Sequence, residues 1–224
     1  MLRIARRTVA VKRPRRVQVA TVAKQQRRGH ATDLDLKGGK AITIRSPLIT
    51  SDSTGALPVV EYSGRSAVGG FPAPPAVVVL QEWWGGANPQ MVTLAKHYHD
   101  MGLRVLLPDL YRGKSTTVAS EAEHLMNNLD WEGALNDVEA CAEHARAHGA
   151  SNVGVVGFCM GGALAMAALV RSPHNFDAGV VFYGIPPTTL AAPERCTKPL
   201  QLHFGRNDPL EGFSDATAAH ALRH

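Results

Sequence analysis

Short apolar runs alternate with helical patterns along the chain from residue 76 onward. Residues 76–81 form a largely apolar run rich in β-branched side chains, typical of a strand buried on both faces of a sheet. Similar runs predict strands at residues 104–107, 153–156, 178–183 and 200–204, and helical periodicity predicts helices at residues 89–101, 120–129, 131–148, 160–170 and 213–222. This alternation predicts an α/β fold, with a mostly parallel sheet and helices on both faces.

Local signals mark the starts of two helices. Asn88 before Pro89 predicts an N-cap and a first helical residue. Ser120, with Glu123 three residues later, predicts a capping box.

The N-terminal part of this domain has a different pattern. Residues 41–45 and 57–62 predict a β-hairpin, and the Gly- and Pro-rich residues 63–75 predict a loop. At 224 residues, the chain has room for one substantial core. We therefore assign residues 40–224 to a single domain.

The formal charge of +5 hides two parts of opposite sign. Residues 1–30 contain ten Lys or Arg and no acid, whereas the rest carries fourteen basic and nineteen acidic residues. An Arg-rich, acid-free start is typical of a transit peptide, so we predict that residues 1–35 are a leader. The predicted destination is the mitochondrion, with a plastid as the second choice and the cytoplasm otherwise. A nucleic-acid-binding arm is the alternative, which the lack of interleaved aromatic residues disfavours.

The composition limits the classes of binding partner and cofactor that we predict. No apolar run approaches the ~20 residues of a membrane-spanning helix, so neither a membrane nor a nucleic acid is a predicted partner. Three cysteines without a Cys-x-x-Cys pair predict neither a disulfide framework nor a zinc site. We predict no metal and no organic cofactor, and the oligomeric state stays open.

Residues 157–162, Gly-Phe-Cys-Met-Gly-Gly, follow a predicted buried strand and open a predicted helix. This is the setting of the Gly-x-Ser-x-Gly nucleophile elbow, with Cys159 in place of serine. A helix N-terminus favours thiolate over thiol, so we expect a lowered pKa for Cys159 and an oxyanion-binding N–H at Met160. The alternatives are a Gly-rich turn that only permits close packing, or a phosphate loop, whose Gly and Lys pattern is absent.

Chemistry-bearing residues fall at or just beyond the ends of the predicted strands, where sites gather in such folds. They are Glu82, Asp109, Cys159, Tyr183 and Asp208. Because the triad order in this setting is nucleophile, acid, histidine, Asp208 is the candidate acid. A helix N-cap before Pro209 is its alternative role.

Four motifs together resemble the dienelactone hydrolases over residues 40–224. They are Gln-Glu-Trp-Trp at 81–84, Pro-Asp-Leu-Tyr at 108–111, the elbow at 157–162 and the turn at 204–208. The resemblance implies an α/β-hydrolase fold, with Cys159 as nucleophile and Asp208 as triad acid. It also implies that Glu82 holds the resting thiol, opposes the lowered pKa until it moves, and then helps to deprotonate the thiol. The Trp83 N–H would be the second oxyanion donor.

The candidate substrate-binding residues are Trp84, Tyr111 and Arg112. The aromatic side chains could equally belong to the core, and Arg112 could hold a substrate carboxylate through bidentate hydrogen bonds. The resemblance also places a triad histidine one helix and one strand after the acid. Neither His220 nor His224 fits that position, so we expect the last strand and the histidine turn to lie beyond residue 224.

These observations predict a hydrolase that opens a lactone or cleaves an activated small-molecule ester through a cysteine acyl-enzyme. An inactive pseudoenzyme or binding protein on the same fold is the alternative. A thiol redox sensor is a third hypothesis, although no obvious resolving cysteine accompanies Cys159.

We expect residues 1 to about 30 to be absent from the mature protein, because an acid-free, Arg-rich leader is removed on import. N-terminal sequencing of the endogenous protein checks this. A retained Met1 would contradict it.

Overall fold

The computed structural model describes residues 36–45, 55–64 and 73–222. The strands are β1 Lys40–Arg45, β2 Ala56–Tyr62, β3 Ala76–Leu80, β4 Arg104–Pro108, β5 Val153–Phe158, β6 Ala178–Phe182 and β7 Leu200–His203. The helices are α1 Pro89–Asp100, α2 Ala119–Asn127, α3 Trp131–Ala147, α4 Met160–Arg171 and α5 Ala216–Ala221, with a short 3₁₀ helix at Pro193–Arg195. The leader prediction for residues 1–35 lies outside the described residues.

The seven strands form one mixed sheet in the order β1-β2-β4-β3-β5-β6-β7. The β1–β2 hairpin is antiparallel and joins β4 in the antiparallel sense, whereas β3 to β7 are parallel. The predicted α/β architecture and hairpin are therefore confirmed.

Alternate side chains of the buried strand β3 enter two separate cores. Val78 and Leu80 pack in one core with α3 and α4, while Val77 and Val79 pack in the other with α1. This period of two is what a strand covered on both faces requires. In the described part of the chain, no helix is long and apolar enough to cross a bilayer.

Two predicted helix starts are wrong. Ser120 lies inside α2, which begins at Ala119 and has no side-chain cap; Thr116 instead accepts the Val118 N–H. The last helix begins at Ala216 rather than near residue 213, because Asp215 accepts the N–H groups of the first turn and fixes the boundary there. The Asn88 cap is confirmed, since its side chain accepts the Met91 N–H.

A buried ion pair fastens the hairpin to the parallel sheet. Arg104 Nη1 donates to Glu61 Oε1 at 2.7 Å, and His144 Nε2 lies 3.6 Å from Glu61 Oε2. Burial alone would raise the pKa of Glu61, but the nearby His144, Arg104 and His148 outweigh it and hold that pKa below its ordinary value. Glu61 is therefore a charged, paired group that links β2, β4 and α3.

We expect Glu61→Gln to lower the free energy of unfolding by about 3 kcal/mol at neutral pH, because Arg104 loses its buried partner. A lowered folded-state pKa means that the stabilisation is present above the unfolded-state pKa and is lost as pH falls through the folded-state value. The variant should thus lose less stability than the parent as pH falls below about 4.

Urea denaturation at a series of pH values measures both effects. Lys96→Ala is the control, since it removes an exposed pair with Asp100 and should leave stability nearly unchanged. Equal losses in the two variants would contradict the role of Glu61.

Candidate functional site

Cys159 lies between the end of β5 and the start of α4, with φ 54° and ψ −118°. A side chain at positive φ is strained by roughly 1–2 kcal/mol, so the surroundings must enforce this conformation. The Cys159 N–H donates to the Phe182 carbonyl at 3.0 Å, and its own carbonyl accepts the Ala163 N–H at 3.1 Å. The backbone is therefore held on both sides of the strained residue.

At three glycine positions around this turn, the neighbouring backbone leaves no room for a side chain. A Cβ on Gly157 would overlap the Gly161 carbonyl, and one on Gly161 would lie 2.5 Å from the Gln81 carbonyl oxygen. A Cβ on Gly184, in the segment after β6, would overlap the Cys159 carbonyl. The turn thus has the sharp strand-to-helix geometry of a nucleophile elbow.

The thiol of Cys159 is half-buried and faces negative groups. Burial raises its pKa, and the charges of Glu82 and Asp208 raise it further, while a hydrogen bond from the Met160 N–H opposes them. The pKa of Cys159 is therefore raised and not lowered in this state: Glu82 opposes the helix terminus as expected, and burial and Asp208 add to its effect. At rest the sulfur is a protonated thiol.

Glu82 follows β3 and accepts a hydrogen bond from Tyr183. The Tyr183 hydroxyl donates to Glu82 Oε1 at 2.6 Å. Tyr183 directly follows β6 and has a positive φ of 39°. The sequence marked Tyr183 as a strand-end residue but gave no reason to pair it with Glu82.

Asp208 lies in the turn after β7 and is half-buried. Its Oδ1 accepts the Leu210 N–H at 3.1 Å, and it contributes to the charge around Cys159. The cap of α5 is Asp215, so Asp208 is not the N-cap of that helix.

The structure places Tyr111 in the core instead of on an open pocket wall. Its side chain is only 6% exposed, and its hydroxyl donates to Met160 Sδ at 3.1 Å. Burial and the nearby Cys159 raise the pKa of Tyr111, which keeps the phenol protonated. It therefore packs beneath the first residue of α4, and the predicted contact with substrate gains no support.

Arg112 already has a partner inside the protein. Its Nη2 lies 2.7 Å from Asp137 Oδ2, and the Asp137 side chain is 4% exposed. A guanidinium paired in this way is not presented to a substrate carboxylate, so that prediction also gains no support.

Trp83 and Trp84 are half-buried in the loop after Glu82 and pack edge to face, with ring centroids 5.1 Å apart. The Trp84 carbonyl accepts the Thr116 N–H at 2.9 Å, which ties this loop to the one after β4. The Trp83 N–H belongs to the peptide that directly follows Glu82, so it lies next to that residue in the site.

A groove of about 590 Å³ opens next to Glu82 and Tyr183. It runs between α1 and the ends of β5 and β6, and its walls also include Gln90, Met91, Thr93, Leu94, His97, Phe158 and Phe182. Most of the wall is apolar, so the groove suits an uncharged organic group.

In the described part of the chain, no histidine hydrogen-bonds to Asp208 or Cys159. His203 ends β7, where its ring is exposed and stacks on Phe182 with centroids 4.5 Å apart. Among these residues there is also no cluster of three or more His, Cys, Asp or Glu suited to a metal ion.

Known proteins resemble both the sequence and the fold. The chain is 31% identical over 143 residues to the protein usf of Aquifex pyrophilus, which covers 60% of this chain and 62% of that protein. It is 32% identical over 148 residues to a carboxymethylenebutenolidase of Pseudomonas putida, covering 59% and 61%. The chain thus spans about three fifths of the length of these relatives.

The crystal structure of a dienelactone hydrolase from Anabaena variabilis ATCC 29413 superposes with a TM-score of 0.53 and 17% identity, covering 73% of this chain and 71% of that one. A nucleophile elbow at the carboxyl edge of such a sheet defines the α/β-hydrolase fold. The family model of the dienelactone hydrolase family matches residues 65–223, and the chain belongs to that family.

We expect Gly157→Ala to lower the free energy of unfolding by about 3 kcal/mol or more, because the new methyl overlaps the Gly161 carbonyl. Gly154→Ala on the same strand is the matched control, since its Cβ would meet nothing closer than 3.7 Å. Urea denaturation of both variants checks this. Equal stability of the two variants would show that the elbow tolerates a side chain at Gly157.

Proposed function

We propose that the chain is a hydrolase that opens a lactone or cleaves an activated ester through an acyl-enzyme on Cys159. The observation that carries the proposal is the strained backbone of Cys159 at the start of α4, which presents a thiol to two carboxylates and a helix N-terminus. Family membership and the carboxymethylenebutenolidase name of the Pseudomonas putida relative support this reaction class.

The first half of the reaction forms a thioester. The Cys159 proton passes to Glu82, the sulfur attacks the acyl carbon, and the carbonyl π electrons move to oxygen. The Met160 N–H, which already faces the sulfur, and the Trp83 N–H stabilise that oxyanion. Collapse of the intermediate breaks the acyl C–O bond, and the departing oxygen takes up the proton held by Glu82, which returns to its carboxylate form.

The second half consumes water. Water attacks the thioester carbon, the C–S bond breaks, and the product is a carboxylic acid with Cys159 restored. This step needs a base that activates the water. No described histidine pairs with Asp208 to act as that base. We propose that a histidine from outside the described residues supplies it.

The absence of a described histidine on Asp208 also favours the second candidate, an inactive protein that binds an acyl compound at the same place. In either case the proposed partner is a small ester, lactone or acid, rather than a nucleic acid or a membrane. The mitochondrial destination remains a proposal that rests on the leader alone.

We expect Cys159→Ala to abolish hydrolysis of p-nitrophenyl acetate, and the unaltered chain to release p-nitrophenol with acetylation of Cys159. Mass spectrometry after a short reaction identifies the acetylated cysteine. Cys196→Ala is the control and should behave like the parent, because that thiol lies in the segment before β7 and contacts the Lys198 carbonyl.

Added imidazole separates the two candidates. If the 224-residue chain lacks its base, imidazole should accelerate the loss of the acetyl group, because it can activate water in place of a histidine. A chain that binds a lactone but never acylates Cys159 would support the inactive protein. Full hydrolysis by Cys159→Ala would overturn both the nucleophile and the mechanism.

A further inference from the structure

Tyr183 has an enforced backbone conformation that no step of the proposed reaction yet uses. Its φ of 39° is unfavourable for a bulky side chain. The Tyr183 N–H donates to the His203 carbonyl at 2.8 Å, which fixes it to β7. Gly184 follows so close to the Cys159 carbonyl that a Cβ would overlap it. The peptide is therefore held between β7 and the elbow.

With this backbone conformation, the Tyr183 side chain extends past the end of β5 and reaches Glu82 after β3. Its hydroxyl donates to Glu82 Oε1 at 2.6 Å, a length typical of a hydrogen bond to a charged acceptor. The two residues are 101 positions apart in the sequence. The contact is thus a product of the sheet order, in which β5 and its elbow lie between β3 and β6.

The phenol can only donate in this setting. Burial first, and then the hydrogen bond and charge of Glu82, raise the pKa of Tyr183. The proton therefore stays on the phenol oxygen and Oε1 stays committed to it. Oε2 of the same carboxylate remains available to receive a proton from elsewhere.

We propose that Tyr183 is a positioning residue that holds the Glu82 carboxylate in place to receive the proton of the Cys159 thiol. The inference rests on the proposed function, in which Cys159 is the nucleophile. The proton moves from sulfur to Oε2, leaving a thiolate and a neutral carboxylic acid, and no electrons are exchanged with an outside reagent. Tyr183 acts through Glu82 and keeps its own proton.

The phenol also weakens the repulsion between Glu82 and the forming thiolate. The ionisable groups that face Cys159 are the carboxyls of Glu82 and Asp208 and the phenols of Tyr111 and Tyr183. A hydroxyl donated to Oε1 partly neutralises one of the two carboxylates. Without that hydroxyl, the surroundings of the sulfur become more negative and the thiolate forms at higher pH.

The pH dependence of alkylation tests the inference, because only the thiolate reacts with iodoacetamide. In Tyr183→Phe the pH of half-maximal labelling of Cys159 should rise by roughly half a unit or more, which is the size expected for a lost hydrogen bond to a nearby charge. Glu82→Gln should lower that pH. In the double variant the effect of Tyr183→Phe should vanish, since there is no carboxylate to position.

Tyr98→Phe is the matched control, because it removes a phenol hydroxyl from α1 and should not move the profile. Peptide mapping assigns each labelled cysteine. If Tyr183→Phe folds poorly, Glu82→Asp gives the same test by withdrawing the carboxylate from the phenol, and should also raise the midpoint.

An unchanged midpoint in Tyr183→Phe and Glu82→Asp would overturn the inference, as would the same shift with and without Glu82. These outcomes do not depend on turnover. Hydrolysis that survives in Cys159→Ala would overturn the proposed function, while the labelling profiles would still decide the role of Tyr183.

Discussion

The backbone at Cys159 is the constraint on which the site depends. Its positive φ cannot be maintained by the local sequence, because the same residue in an isolated turn would relax to an ordinary conformation. The enforcing contacts come from the Phe182 carbonyl on β6 and from the Gln81 carbonyl beside Gly161. The Cys159 side chain therefore takes its position only when β3, β5 and β6 are neighbours.

The same strand order brings the other polar side chains of the site together. Glu82 follows β3, Cys159 follows β5, Tyr183 follows β6 and Asp208 lies in the turn after β7, and these four strands are adjacent and parallel. Parallel strands end at one edge of the sheet, so four distant segments place their polar side chains together without a long loop. The hairpin lies on the side of β4 away from β3, and the buried Glu61–Arg104 pair joins β2 to β4, which stabilises the sheet outside the site.

The sequence predicted the strands and the sharp turn at Cys159 well, because periodicity and glycine spacing are local signals. It could not predict the Tyr183–Glu82 hydrogen bond, which joins residues 101 positions apart. The core position of Tyr111 and the pairing of Arg112 with Asp137 depend equally on tertiary packing. The start of α5 was predicted near residue 213, whereas the Asp215 side chain accepts the Thr217 and Ala218 N–H groups and fixes it at Ala216.

The raised pKa of the Cys159 thiol bears on how fast peroxide oxidises it. Hydrogen peroxide oxidises thiolates far faster than thiols, and repeated oxidation of a cysteine becomes irreversible. Because burial, Glu82 and Asp208 keep the Cys159 sulfur protonated, its oxidation by peroxide is slowed. Cys141 is fully buried, and burial raises its pKa as well, so it shares that protection. Both thiols are therefore expected to form sulfenic acid slowly while they stay protonated.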